Sequence, residues 1–163
     1  MSSLQVDSIS SMGGGHVDGA GKVVQYVETS DPDVPSQIAI NSTSLVSTGI
    51  TLSITPKLIG SKICVDYKGS MGHVGLSANS GSRDGMQLTL FESGVQVLGE
   101  NSLGYIESYN LPSFAQVGGQ GVFTTTNLNP LEFTVYCRSN NGNGVVPSYV
   151  SSSYVLSATE IAQ

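Results

Sequence analysis

Apolar residues occupy every second position in two neighbouring segments of this chain, and this alternation constrains the fold more than any other feature. Isoleucine and leucine alternate with threonine and serine over residues 49–55, and apolar and polar residues alternate again over residues 62–67. Successive side chains of a β-strand point to opposite faces, so each segment predicts a strand with one buried face. Pro56 ends the first segment, and we expect the two strands to be joined by a short loop and paired.

Similar short segments continue to the C-terminus, separated by clusters of Gly, Asn, Pro and Ser and without a helical period. Ser93-Gly94 predicts a two-residue hairpin turn. This pattern indicates an all-β protein, a jelly-roll-like β-sandwich over residues 22–163. The predicted interior consists of the apolar residues of one parity, namely Ile38, Ile40, Ile50, Leu52, Ile54, Ile63, Val65, Tyr67, Leu88, Leu90, Phe123, Leu131, Phe133, Val135, Leu156 and Ala158.

Residues 1–21 differ from the rest and form a predicted N-terminal arm. Leu4, Val6 and Ile9 give it a short strand-like pattern, and five glycines follow before residue 22 as a flexible hinge. Two interpretations remain open. The segment is either a tail without fixed structure or an arm that orders against a partner by burying its three apolar side chains.

The composition argues against several classes of function. Only 11% of the residues are charged, against about a quarter in an ordinary domain, and the net charge is −6. An acidic chain with scattered basic residues is not expected to bind nucleic acid. No apolar run reaches the roughly 18 residues of a membrane-spanning helix. The N-terminus lacks the basic and apolar regions of a secretory signal, so we expect synthesis in a cell's cytoplasm and no membrane partner.

Motifs for catalysis, metal binding or cofactor binding are also missing from the sequence. The histidines His16 and His73 lie in glycine-flanked loops without ligand-spaced neighbours. The glycines before Lys22 do not have phosphate-loop spacing. A Ser-His-Asp triad stays open by residue count, with Asp66 and Asp84 available, but no Gly-x-Ser-x-Gly elbow accompanies it. We therefore expect no enzyme activity, no metal and no cofactor.

The two cysteines are predicted to remain reduced. Cys64 shares the polar parity of its strand, whereas Cys137 shares the apolar parity of its own. Their side chains should then point to opposite faces, which does not suit a disulfide. Cys137 is expected in the core.

An aromatic-rich segment surrounds Leu111-Pro112-Ser113. Tyr105 and Tyr109 precede this tripeptide and Phe114 follows it. Such rings can stack on sugar, dock against a neighbouring subunit or pack beneath a loop. We favour a subunit interface, with Tyr105 and Tyr109 as its candidate residues.

Several segments resemble a β-rich module of bacteriophage virion structural proteins, found in capsid decoration and tail-fibre proteins. The resemblance extends roughly from Val23 to the C-terminus. It is clearest in TGI, SITP and SKI between Thr48 and Ile63, in LEFTVYCRS near residue 135 and in the closing SYVLSATEIA, and the hairpin MQLTLFESG agrees with it.

The resemblance implies a trimeric sandwich displayed on a virion, with no reactive residues to carry over. Because little precedes the module except the short arm, we expect a homotrimeric capsid cement or decoration protein that bridges subunits of the major capsid protein. Leu4, Val6 and Ile9 are the expected capsid-contact residues. The alternative is a tail-fibre tip that binds a receptor or surface glycan through loops at residues 79–84, 105–114 and 140–146.

Overall fold

The computed structural model describes residues 21–30, 38–40, 42–73, 84–99, 101–108, 113–139 and 148–163. These residues form β-strands and connections but no helix, and so none that crosses a membrane. The strands are β1 (Val23–Ser30), β2 (Ile38–Ile40), β3 (Val46–Ile54), β4 (Lys62–His73), β5 (Asp84–Glu92), β6 (Val95–Gln96), β7 (Gly104–Ser108), β8 (Ser113–Thr124), β9 (Leu131–Ser139) and β10 (Ser148–Ile161).

The strands form two antiparallel sheets that pack face to face. Sheet A has the order β1-β10-β4-β8, with β2 also paired to β10. Sheet B has the order β3-β9-β5, and β5 pairs with both β6 and β7. The chain changes sheet at most connections, as in a double-sheet jelly roll. The predicted all-β sandwich is confirmed.

The core lies between the sheets and follows the predicted parity. In β3 every second side chain from Thr48 to Ile54 is buried, and in β4 Ile63, Val65 and Tyr67 are almost completely enclosed. Phe123 and Leu131 are only partly buried at its rim. The side chains of Ile38 and Ile40 lie outside the described residues. Among the buried apolar residues of the core, Met71, Met86 and Leu103 were not predicted.

The expected pairing of the first two alternating segments is wrong. β3 pairs with β9 in sheet B, whereas β4 pairs with β8 and β10 in sheet A. Residues 55–61 therefore carry the chain from one sheet to the other. Their backbone N–H groups at Lys57 and Leu58 donate to the side chain of Glu160, and that of Gly60 donates to the carbonyl of Thr125, instead of closing a hairpin.

Other strand limits also differ from the prediction. β8 begins at Ser113, seven residues before its predicted start at Gln120. The prediction missed these residues because the glycines of β8 hide the alternation. The two predicted C-terminal strands are one strand, β10, with an irregularity between Val150 and Tyr154. The Ser93-Gly94 turn is confirmed, with φ angles of 48° and 83°. A strand predicted at residues 74–78 lies outside the described residues.

The cysteines occupy the predicted faces of different sheets. Cys64 is half-buried on the outer side of β4, Cys137 is buried in the core on β9, and neither is in a disulfide. Burial raises the pKa of the Cys137 thiol to about 12, which keeps it protonated at neutral pH.

Gly119 of β8 allows the β6–β7 connection to pass close to sheet A, and we expect replacement of it to destabilise the fold. A Cβ at this position would lie 2.3 Å from the carbonyl oxygen of Ser102 and 3.1 Å from the Cα of Leu103. Gly119→Ala should therefore lower the free energy of unfolding by about 1–3 kcal/mol, measured by urea denaturation.

Gly99→Ala is the matched control, because its Cβ would meet only the Ser102 Oγ at 3.7 Å. Equal stability of the two variants would contradict the close approach at Gly119.

Candidate functional site

The outer side of sheet B carries an aromatic face, defined here by Gln87, Phe91, Tyr105, Tyr136 and Arg138. The Phe91 and Tyr136 rings stack with centroids 4.0 Å apart. Gln87 is opposite Tyr105 on one side and Arg138 on the other, and the Arg138 Nε donates to the Gln87 Oε1 at 2.8 Å. The face combines aromatic rings with a guanidinium held in place by an amide, a composition common at protein interfaces.

The structure places one predicted interface residue on this face. Tyr105 lies on β7 rather than in a loop, and it is 43% exposed. Tyr109 lies outside the described residues, as do the three arm residues Leu4, Val6 and Ile9. The loops expected to bind glycan are likewise mostly outside them, but the strands that flank these loops all terminate at one end of the sandwich.

The outer side of sheet A forms a shallow groove. Its floor alternates polar and apolar groups from four adjacent strands, and the Asp66 and Lys68 side chains form an ion pair at 3.3 Å. The Tyr26 hydroxyl donates to the Glu28 carboxylate, and this bond together with burial raises the pKa of Tyr26. The lining side chains include Tyr26, Cys64, Asp66, Lys68, Gln120, Val122, Val155, Ser157 and Thr159.

A buried carboxylate organises the opposite end of the sandwich from those loops. The Glu160 side chain, on β10, is fully buried. Its Oε1 accepts from the Leu58 N–H at 2.9 Å and the Ser61 hydroxyl at 2.7 Å. Its Oε2 accepts from the Lys57 N–H at 2.9 Å and the Gln25 Nε2 at 2.7 Å. We refer to residues 55–61 as the tip loop and to these contacts as the Glu160 clamp.

Further hydrogen bonds make the tip loop rigid. The Thr125 hydroxyl donates to the carbonyl of Leu58 at 2.7 Å, and the Gly60 N–H donates to the carbonyl of Thr125 at 2.9 Å. Gln25 also donates to the carbonyl of Thr55 at 2.6 Å. The loop is therefore tied to β1, β10 and the β8–β9 connection.

The hydrogen bonds to Glu160 determine its protonation state. Burial alone would raise the pKa of this carboxyl, but the donors Ser61, Lys57, Leu58 and Gln25 together outweigh burial and lower it below its usual value. Glu160 is consequently ionised at neutral pH, and its negative charge is neutralised locally by N–H and O–H dipoles.

The described residues contain no cluster of three or more His, Cys, Asp or Glu side chains suited to a metal ion. The side chain of His73 lies outside them.

Sequence reasoning missed the Glu160 clamp although a signal was present. Leu156, Ala158 and Glu160 share the inward parity of β10, and Gln25 occupies an inward position of β1. A charged residue at a core position is costly unless it is hydrogen-bonded. Two polar residues at inward positions near the two ends of the chain therefore indicated a buried polar pair.

Replacement of Glu160 by glutamine should destabilise the protein by about 3 kcal/mol. The amide has one acceptor oxygen, and its NH2 group would face donors that now bind the carboxylate. The free energy of unfolding in urea at neutral pH measures the change. Glu132→Gln, at an exposed position of β9, is the control and should have little effect.

The pH dependence follows from the direction of the pKa shift. Because folding lowers the pKa of Glu160, its contribution is complete above the unfolded pKa of about 4.5 and disappears as the pH falls through the folded value. The wild type should lose more stability than Glu160→Gln on acidification across this range. Parallel pH profiles would contradict the clamp.

No family model matches this chain, and no curated protein matches it. Among solved structures it is similar to dimeric latent PorU from Porphyromonas gingivalis, with a TM-score of 0.44 and 12% identity over 93% of this chain and 14% of that chain. It is also similar to the C-terminal domain of EclA, a sugar-binding protein, with a TM-score of 0.37 and 11% identity over 92% of this chain and 88% of that one. The chain thus spans a small part of PorU and most of the EclA domain.

Proposed function

We propose that this protein is a structural component of a bacteriophage virion, a homotrimeric capsid decoration protein that binds the major capsid protein. The aromatic face is the observation that carries the proposal, because it supplies a surface for contact between copies. The resemblance of the strand motifs to phage virion modules gives the biological setting.

The aromatic face has the properties of a subunit contact. Tyr, Phe and Arg contribute most to binding at protein interfaces, and charge is depleted at their centres. The neighbouring outward positions on β3, Ser47, Thr51 and Ser53, are uncharged and exposed. The charged groups that a partner would cover on this side of sheet B include Arg138, which is already hydrogen-bonded to Gln87, and Glu132 opposite Ser53.

Truncation of Tyr105 should dissociate the trimer. Loss of an exposed ring at a subunit contact costs about 2 kcal/mol or more when the ring is an energetic centre. The molar mass of purified Tyr105→Ala, measured by light scattering across a dilution series, should fall to that of smaller species at concentrations where the wild type is trimeric.

Val155→Ala, on the outer side of sheet A, is the control and should stay trimeric. A monomeric wild type at all concentrations would contradict the trimer, and a trimeric Tyr105→Ala would remove Tyr105 from the interface.

Deletion of residues 2–15 should abolish binding to phage particles that lack this protein, because it removes the apolar side chains proposed to contact the capsid. Cosedimentation with such particles measures binding. The triple variant Leu4→Ser, Val6→Ser and Ile9→Ser keeps the length of the arm and should bind as poorly as the deletion. Circular dichroism should show an intact sandwich in both, and retained binding would exclude the arm as a capsid contact.

The second candidate is a glycan-binding head at a tail-fibre tip, and the sheet A groove favours it. The groove encloses about 460 Å³ and places Tyr26 near carboxylate, amide and hydroxyl groups, which together can stack on and hydrogen-bond a sugar.

Copy number in purified particles separates the two functions. A decoration protein is present across the capsid, whereas a fibre tip is present only at the tail.

A further inference from the structure

The tip loop and its surroundings form an exposed apolar end of the sandwich. Leu58 is 44% exposed and Ile59 69% exposed on the loop itself, and Leu128 in the β8–β9 connection is 48% exposed. Val95, after the β5–β6 turn, is 64% exposed at the same end. A single exposed apolar side chain is common on a protein surface and needs no explanation. Four large ones at one end indicate a contact site.

The tip loop is also held in one conformation. The Glu160 clamp binds its backbone N–H groups at Lys57 and Leu58, and Thr125 binds the carbonyl of Leu58. Leu58 and Ile59 are therefore exposed on a backbone that is already ordered. A preordered loop loses little conformational entropy on binding, so more of the apolar burial is retained as affinity.

Basic residues collect beside this apolar end. The chain has only six lysines and arginines, and three of them, Lys22, Lys57 and Lys62, lie at the ends of β1 and β4 and in the tip loop. Lys62 is two strands from the start of β1 across sheet A. The acidic residues of this end, Glu92 and Glu132, belong to sheet B, and Glu160 is buried.

Gly21, the last residue of the predicted arm, lies at the same end of the sandwich. The Gly21 N–H donates to the carbonyl of Ala162 at 2.7 Å, and the Ala162 N–H donates to the carbonyl of Lys22 at 2.9 Å. Gly21 is thus fixed beside the end of β10, next to Ala162, which is two residues after Glu160.

We infer that this end is a second docking surface for the virion partner, with Leu58 and Ile59 inserting into an apolar depression that is ringed by carboxylates on a protein surface. Charge complementarity selects this occupant, because Lys22, Lys57 and Lys62 lie at the same end as the two apolar side chains, and such a basic group favours a partner surface that carries carboxylates. The inference rests on the proposed function and identifies which end of the sandwich faces the capsid.

The test uses full-length protein and phage particles that lack it. The double variant Leu58→Asp with Ile59→Asp should bind the particles about tenfold more weakly or worse, since it removes the apolar contact and introduces charge repulsion. Lys57→Glu should also weaken binding, and more strongly at low salt. Gln116→Asp, at an exposed position of β8 away from the tip loop, should bind as the wild type does, and thermal unfolding verifies that each variant is folded.

The outcomes separate the two proposals. Equal particle binding by the wild type and the double variant would overturn the docking surface and leave the capsid function intact. Failure of the wild type to bind particles would overturn the capsid function and, with it, the inference. Cofloatation of the wild type, but not of the double variant, with phosphatidylcholine and phosphatidylserine vesicles would overturn the protein partner in favour of an anionic lipid surface.

Discussion

One end of this sandwich depends on the hydrogen bonds that the buried carboxylate of Glu160 accepts. It accepts hydrogen bonds from β1 and from the loop that carries the chain between the sheets. An apolar residue at this position would leave the N–H groups of Lys57 and Leu58 without acceptors in a buried environment, which costs more than the hydrogen bonds themselves contribute. The short crossing from β3 to β4 is possible because a side chain replaces the missing strand partner.

The sequence predicted the sandwich because burial on one face imposes a two-residue period, and the core residues from Ile50 to Ala158 follow it. Pairing was harder to predict. Alternation reports which face is buried but not which strand is adjacent, so β3 and β4 were expected to form a hairpin and instead belong to different sheets. Glycines at 118, 119 and 121 interrupt the alternation and concealed the first half of β8, and one of them, Gly119, permits the close approach of the chain at Ser102.

The surfaces were less predictable than the core. Tyr105 was selected for its chemistry, and the structure adds its neighbours Gln87 and Arg138, which are distant in sequence and adjacent only through the register of β5, β7 and β9. The same is true of the tip, where Gln25 and Glu160 meet from opposite ends of the chain. With an aromatic face on one sheet and an apolar, basic end, a copy of this protein would be able to contact neighbouring copies through sheet B and its docking partner through the tip loop.

The position of β10 has a consequence for the order of folding. This strand lies between β1 and β4 in sheet A and also supplies Glu160, yet it is synthesised after the other nine strands that the structure describes. β1 can find no partner in its sheet until residues 155–161 are synthesised. Its pairing spans nearly the whole chain, a type of contact that forms slowly. β1 therefore lacks this strand partner until β10 has been made, and sheet A cannot be completed before then.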